Sequence, residues 1–361
     1  MEASARPLGS HRPLAGVRVI EISSFVAVPL AGMTLAQLGA EVIRVDPIGG
    51  AADYHRWPVT EAGESIYWAG LNNGKRSAAV DMRSAAGQQL IQRLIVDAGV
   101  LITNVSRREW HSYETLSALR ADLIHVEVSV RADGGTGVDY TVNAAIGFPL
   151  ITGPADLDVP VNHVLPVWDI SCGIYAALAV TAALRHRDHT GAGQRLNIPL
   201  ENVALATAVN LSFLTEVMIN GTPRERIGNA IFGQYGQQFA SSDGAVFMMA
   251  ALTNLFTTWF SIHSADEVAT ALARTSILWE RYRSFAEVVT DPKVTENPLF
   301  AQLVQPRIGE YLAPGLPLAI DGAYPVAVAA PALGDHTADV LRSIGVADDE
   351  ISALLGAGTV A

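Results

Sequence analysis

Over its first 130 residues the chain alternates two periodicities, and that alternation limits the fold more than any other feature. Val17–Ile22 (VRVIEI), Glu41–Val45 (EVIRV), Ser77–Met82, Val100–Val105 and Leu123–Val130 (LIHVEVSV) are short runs rich in β-branched residues, and they read as strands. Between them the spacing turns helical. Pro29–Leu38 is a small-residue stretch closed by Gly39. Ser84–Asp97 carries Leu90, Ile91, Leu94 and Ile95 on one face, behind a serine able to cap it. Trp110–Arg120 is a third helical stretch. A strand rejoins a parallel neighbour only through a crossover, and a helix of this length is the usual one. The expected class is therefore α/β, with a parallel, doubly wound sheet.

The later chain has a different character. A long apolar helix is expected from Asp169 to Leu184, ended by the basic, glycine-containing RHRDHTGAG. A short strand follows at Arg195–Ile198 and another apolar helix at Val203–Val217. From Gly221 to about Leu312, strand-like stretches (Tyr235–Phe239, Ala245–Ala250) and amphipathic helices (Ala265–Ala273, Leu278–Val289) are separated by Gly- and Asp-rich turns. After Pro314–Pro317 come a last strand, Val326–Ala329, and two short helices, Asp335–Ile344 and Asp348–Leu355. Glycine closes both helices, and Asp348 reads as the cap of the second. The expected division is a large domain over residues 1–220, a small α+β domain over 221–315, and a return to the large domain over 316–361.

The chain has 361 residues, half of them hydrophobic and 17% charged, enough to bury a sizeable core. A formal net charge of −12 makes a nucleic-acid backbone a poor partner. The charge is uneven. Residues 1–120 hold 12 Lys+Arg against 11 Asp+Glu, a net of +1; residues 121–361 hold 12 against 25, a net of −13. Cys172 is the only cysteine, which excludes an intrachain disulfide and a cysteine-based zinc site. In its apolar run it reads as a small buried hydrophobe. No G-x-G-x-x-G follows a strand, no G-x-S-x-G elbow occurs, and no H-E-x-x-H or His/Asp cluster suggests a metal. The N-terminal MEASARPLGSHRP lacks the apolar core of a secretory signal, and the uncharged Ile170–Leu184 is too short and alanine-rich to span a bilayer. The expectation is a cytoplasmic protein with no metal, no permanently bound cofactor, no nucleic-acid partner and no membrane association.

Four ordered stretches resemble the class III CoA-transferases of the CaiB/BaiF type. Residues 13–50, PLAGVRVIEISSFVAVPLAGMTLAQLGAEVIRVDPIGG, are similar to that family's opening strand, small-residue helix and second strand. LNNGKRSAAVDMRSAAGQQLIQRLIVDAGVLITN (71–104) resembles its N-x-G-K-R-S block. WDISCGIYAALAVTAALRHRDHTGAGQRLNIPLENVA (168–204) resembles its long-helix block, and APALGDHTADVLRSIGVADDEISALLGAGTV (330–360) its A-P-x-L-G-x-H-T ending. The resemblance implies a Rossmann-like large domain built from both chain ends, a smaller α+β domain from the middle, and two chains interlocked as a homodimer.

It also implies chemistry. Asp169 stands at the family's nucleophile position. From the residues alone, an aspartate before an apolar helix reads equally as an N-cap. A helix N-terminus favours the carboxylate form, which would keep Asp169 ionised at neutral pH. The implied reaction is covalent: Asp169 attacks an acyl-CoA thioester and the reaction passes through an aspartyl–CoA thioester. Coenzyme A is then a substrate, and carboxylic or dicarboxylic acids are the partners. Gly134, Gly135 and Gly137 are candidate backbone donors to the oxyanion, or an ordinary turn. The resemblance places CoA contacts at Val26, Arg44, Lys75 and Asn104. Arg107 and Arg108 follow the fourth strand, at the sheet edge where ligands of such folds collect. Each of these cations also reads as an ordinary surface charge.

Racemases of 2-methylacyl-CoA share the fold and carry a histidine in the segment that here reads Gly137-Val138-Asp139-Tyr140. Val138 stands in its place and cannot exchange a proton. A narrower likeness lies in VNHVLPVWD (161–169), RIGNAIFGQYGQQFASSDG (226–244) and IGEYLAPGLPLA (308–319). It is to family members that move CoA between the two carboxyls of mesaconate, formally an isomerisation. Transfer between two different acids and racemisation are the alternatives. His163, Arg226 and Asn229 are candidate anchors for such a dicarboxylate.

Overall fold

The β-branched runs become parallel strands because each is apolar enough to be covered on both faces. The computed structural model describes residues 12–230, 236–250 and 256–361. It sets β1 (Arg18–Ile22), β2 (Glu41–Asp46), β3 (Arg76–Ala79), β4 (Val100–Thr103), β5 (Ile124–Ser129) and β6 (Gln194–Pro199) in one parallel sheet of order β3-β2-β1-β4-β5-β6. Val19, Ile20, Ile43, Leu101, Ile102 and Ile124 are fully buried in it. The order reverses between β1 and β4, so the loops leaving those strands flank the crevice in which doubly wound sheets hold ligands.

The crossovers are helical. α1 (Ala27–Gln37), α2 (Ile66–Leu71), α3 (Ala85–Ala98) and α4 (Tyr113–Leu119) precede β2, β3, β4 and β5 respectively. Ser84 caps α3 as expected, its Oγ accepting from the Gly87 N–H at 3.0 Å. Three helices lie between β5 and β6: α5 (Asp139–Ile146), α6 (Phe148–Ile151) and α7 (Val167–Thr190). α2 and α5 carry no clear helical periodicity in the sequence. α7 begins two residues before Asp169, which makes Asp169 its third residue rather than its cap. At 24 residues α7 is long and apolar enough to cross a membrane by length and composition. It packs instead along α1 and against β5 and β6. Gly173 permits the approach to α1, since a Cβ there would come within 2.7 Å of the Ala27 carbonyl oxygen.

The chain divides into two compact units. One takes the chain up to Val142, then Pro166–Ala204 and Asn297–Ala361, and holds the sheet. The other takes Asn143–Leu165 and Leu205–Glu296. These bounds lie away from residues 221 and 315, where the composition changes. The apolar stretch expected as one helix at Val203–Val217 is two, α8 (Leu200–Asn210) and α9 (Phe213–Asn220). Ser212, at φ +70°, breaks them apart. Most of that stretch belongs to the second unit.

In the second unit β7 (Gln237–Ala240), β8 (Val246–Met249) and β9 (Trp279–Arg281) form an antiparallel sheet. With α10 (Phe256–Ile262) and α11 (Ala265–Leu272) they enclose Phe239, Phe247, Met249, Phe260, Val268 and Leu272. The helix expected over Leu278–Val289 is instead β9 followed by α12 (Phe285–Val288) and α13 (Pro292–Thr295). Trp279 pairs with Met249 in the ladder and packs against the aromatic core, a tertiary gain that overrides helical spacing. Tyr235, the expected start of a strand, lies outside the described residues.

The chain then returns to the sheet-bearing unit. β10 (Phe300–Gln305) and β11 (Gly309–Pro314) form an antiparallel hairpin, whereas Val326–Ala329 forms no strand. Its β-branched residues stay outside any ladder, between Pro325 and Pro331. α14 (Thr337–Ser343) and α15 (Asp348–Gly356) add Val340, Leu341 and Ile351 to the core that holds Leu94 and Ile95. The final residue is tied to β3, Ala361 N–H donating to the Ala79 carbonyl at 3.0 Å. Asp348 lies inside the first turn of α15 rather than at its cap, and pairs with Arg342 at 2.7 Å.

Candidate active site

α7 starts without a capping side chain of its own. Asp139, from the first turn of α5, supplies it. Its Oδ2 accepts from the backbone N–H of Trp168 at 2.8 Å and of Asp169 at 3.1 Å. Two helix-end donors are thereby satisfied by a carboxylate 30 residues upstream. Asp169 is half-buried beside this second carboxylate. Burial first, then the Asp139 charge, push the Asp169 carboxyl up to about 7, against the pull of Arg56. The expectation that the helix terminus keeps it ionised is thus corrected: desolvation and a like charge outweigh the helix end. Cys172, one turn later, is fully buried. Burial and the two aspartates push its thiol up to about 12, an inert group as expected.

The turn from β1 into α1 stands next to this point, because α1 presses on α7 at Gly173, one turn beyond Asp169. Val26 is the half-buried N-cap residue of α1. Phe25 before it holds φ +65°, which a bulky side chain rarely adopts. The Arg56 guanidinium lies over two rings, 5.1 Å from the centre of Phe25 and 5.3 Å from that of Tyr67. The Tyr67 hydroxyl is buried with no hydrogen-bond partner among the described residues. Burial pushes it up to about 12, with Arg56, Asp53 and Asp169 among the charges acting on it. No motif or periodicity marks Arg56 or Tyr67, and Asp139 has no sequence signal for its capping role.

The structure gives Arg44 and Lys75 a different task from the expected CoA contacts. Arg44 is fully buried, bonded to Asp46 at 3.0 Å, to Asp53 at 3.0 Å and to Asn72 Oδ1 at 3.1 Å, beneath the Trp68 ring. Lys75, 4% exposed, donates to Glu21 at 2.9 Å, to Asn72 Oδ1 at 2.9 Å and to the Pro29 carbonyl at 2.8 Å. Burial lowers its pKa to about 8. Each side-chain nitrogen of both residues is engaged below the surface, which supports a scaffold role over a phosphate contact. Arg44 also donates to the Ser23 carbonyl at 3.3 Å, so the cluster supports the β1–α1 turn. Asn104 braces the same turn from β4, exchanging bonds of 2.8 and 3.0 Å with Ser24.

Of the other cations, Arg107 pairs with Glu127 at 2.6 Å. Arg108 is exposed and lines an open cleft of about 510 Å³ with Arg83, Ile22, Met82, Val105 and His111. Arg83, also exposed, is a further site candidate that sequence reasoning passed over. Neither Arg83 nor Arg108 forms an ion pair among the described residues. The glycine loop follows β5, with Gly134 and Gly135 exposed and Gly137 half-buried; Gly134 N–H donates to the Arg131 carbonyl at 3.2 Å and Gly135 N–H to Asp133 Oδ1 at 2.8 Å. Those two donors are turned inward as in an ordinary turn, while Gly137 carries no such bond. His163, Arg226 and Asn229 belong to the second unit. His163 Nδ1 contacts the Leu165 carbonyl, and Arg226 donates to the carbonyls of Leu157, Pro149 and Val159. Asn229 bonds Gln238 at 2.8 Å.

The chain is 43% identical, over 96% of its length and 98% of the relative's, to 2-methylfumaryl-CoA isomerase of Chloroflexus aurantiacus. It is 27% identical, over 98% of both chains, to succinyl-CoA–D-citramalate CoA-transferase of the same organism. A crystal structure of a CaiB/BaiF family protein from Brucella suis superposes with a TM-score of 0.80 over 93% of this chain and all of that one; at 24% identity it speaks to the fold alone. The sequence pattern of CoA-transferase family III matches residues 14–252 and 234–337. With that match over most of its length, the chain belongs to CoA-transferase family III.

Proposed function

We propose that this enzyme moves coenzyme A between the C1 and C4 carboxyls of 2-methylfumarate (mesaconate), with Asp169 as the covalent carrier. The observation that carries the reading is the near full-length identity to 2-methylfumaryl-CoA isomerase. The half-buried Asp169 supports it as the reacting group. The Asp169 carboxylate attacks the thioester carbonyl, the C–S bond breaks, and CoA thiolate leaves a mixed anhydride. The thiolate attacks the aspartyl carbonyl, releasing the acid as a carboxylate and leaving an aspartyl–CoA thioester. The acid turns within the site. Its other carboxylate attacks the aspartyl thioester, and the thiolate returns to the new acyl carbonyl, restoring Asp169. Each addition passes through an oxyanion, for which the Gly137 N–H and the unpartnered Tyr67 hydroxyl are the candidate donors.

Arg83 and Arg108 are the cations we assign to the CoA phosphates, with Val26 and Arg107 beside them. Arg44, Lys75 and Asn104 position the turn that carries Val26. We read the sheet-bearing unit as the Rossmann-like CoA-binding domain and the second unit as the small domain of a cytoplasmic homodimer. Exposed Ile174, Tyr175 and Leu178 on α7, and Val217, Met218 and Ile219 on α9, support a second copy as their cover.

The relative that uses D-citramalate favours a second reading, transfer between two different acids. Incubation of the enzyme with mesaconyl-C1-CoA alone separates the two. Appearance of the C4 isomer on chromatography, without added acid, is the expected result. Conversion only with a free acid sinks the intramolecular reading. No conversion, with α-proton exchange on a 2-methylacyl-CoA, sinks both.

A further inference from the structure

The guanidinium of Arg56 is seated on two aromatic rings and forms no ion pair among the described residues. It lies over Phe25 and Tyr67, rings that can position it without engaging its N–H donors. The side chain is exposed, and among the described residues no carboxylate or carbonyl meets it. Arg18, Arg44, Arg76, Arg107 and Arg195, also in the sheet-bearing unit, all form ion pairs. Phe25 holds its ring there by a backbone conformation that costs energy, which is characteristic of functional sites. The buried Tyr67 hydroxyl beside the guanidinium is also unpartnered. α1 begins two residues after Phe25 and presses on α7 one turn from Asp169, so fork, phenol and nucleophile share one corner.

We propose that Arg56 holds the free carboxylate of the dicarboxylyl-CoA substrate beside Asp169, and thereby selects diacid thioesters over monoacid ones. The inference rests on the reading of this enzyme as acting on mesaconyl-CoA. In every acyl-bound stage of such a transfer one carboxyl group is esterified to CoA or joined to Asp169 while the other is a free anion. The acid is nearly symmetric about its double bond, so one fixed cation serves both orientations. A guanidinium fork takes a carboxylate through two parallel N–H···O bonds. A site built to pair a charge rejects an analogue that leaves the site's polar groups unpaired.

The test compares mesaconyl-C1-CoA with (E)-2-methylbut-2-enoyl-CoA, in which a methyl replaces the distal carboxylate. Acyl groups on the enzyme are trapped with hydroxylamine, and isomerisation is followed by chromatography. The wild type should acylate from the diacid thioester at least about 100-fold better, in kcat/KM, than from the methyl analogue. Arg56→Gln should lower kcat/KM for mesaconyl-CoA by about 100-fold while leaving the analogue within about threefold. Arg56→Lys, which keeps the charge and loses the fork, should fall between. Equal loss on both thioesters would mean that Arg56 acts on the Asp169 charge itself, and overturns the proposal. An unchanged mesaconyl-CoA rate in Arg56→Gln overturns the anchor and leaves the function standing. A wild type inert toward mesaconyl-CoA overturns the function and the anchor with it.

Discussion

Two sets of buried or half-buried charge occur in the sheet-bearing unit, and they are treated in opposite ways. Glu21, Arg44, Asp46, Asp53 and Lys75 are each 4% exposed or less, and each has an opposite charge within 3.0 Å. Asp169 is less buried, yet it has no cation in ion-pair contact among the described residues and a second carboxylate bonded to its own backbone N–H. Burial by itself therefore does not mark a reactive group. A buried charge with matched partners is a scaffold, whereas one left short of partners is held ready to react.

The comparison can be broken at its reactive side first. Asp169→Ala should abolish hydroxylamine trapping and lower turnover by on the order of 10⁴-fold or more. Full activity in that variant would end the argument. Stability should move the other way in Asp169→Asn. Folded Asp169 binds its proton more tightly than the unfolded chain, from 3.8 up to about 7. The cost of its charge is thus absent below about pH 4, grows through that window, and is complete above pH 7. Asp169→Asn should be more stable than wild type at pH 8, by up to roughly 4 kcal/mol, and no more stable at pH 4. Thermal unfolding at the two pH values checks this.

On the scaffold side, Lys75→Met takes from buried Glu21 its nearest cation, leaving Arg44 at 3.7 Å and the Ser23 hydroxyl, and should cost about 3 kcal/mol in urea unfolding. The KM for the CoA thioester should hardly change in that variant. Arg83→Ala should do the reverse, raising KM about tenfold with little loss of stability. If Lys75→Met instead raised KM and left stability alone, Lys75 would be a phosphate contact and the two regions would not differ as stated.

The smallest expected effect joins the two regions of chemistry and capping. As the proposed nucleophile, Asp169 must be ionised, so kcat/KM should rise with pH through about 7. Asp139→Asn removes the like charge but keeps an oxygen for the Trp168 and Asp169 N–H groups. Its acid limb should move to lower pH, and by less than burial has raised it. A limb that stays in place would mean burial alone sets the Asp169 pKa.

Much of the sheet was legible in the chain because strands covered on both faces are rich in β-branched and other apolar residues, and five of six announced themselves as such runs even with Glu21, Arg44 and Asp46 among them. α3 was legible down to its cap, since Ser84 and Gly87 are local to it. Legibility failed where the deciding contact is distant. Trp279 is a strand residue because Met249 lies opposite it. Asp139 caps a helix 30 residues away. Arg44 and Lys75 show their sign in the sequence but not their partners, which come from three other segments and close over them. Arg56 and Tyr67 sit in a loop and a short helix, where no period exists to single them out.

The uneven charge shows the same limit. Arg44, Lys75, Arg83 and Arg108 all lie in the near-neutral first third, yet the first two turn inward and the last two stay exposed at the cleft. The sequence by itself determined the parallel α/β class, the family blocks and Asp169 as the residue of interest, because periodicity, capping and ordered motifs are local or linear properties. The tertiary structure alone decided which charges are buried, which are paired, and that Asp169 is held near neutral. Desolvation and pairing depend on what packs around a group in space, and no spacing along the chain specifies that.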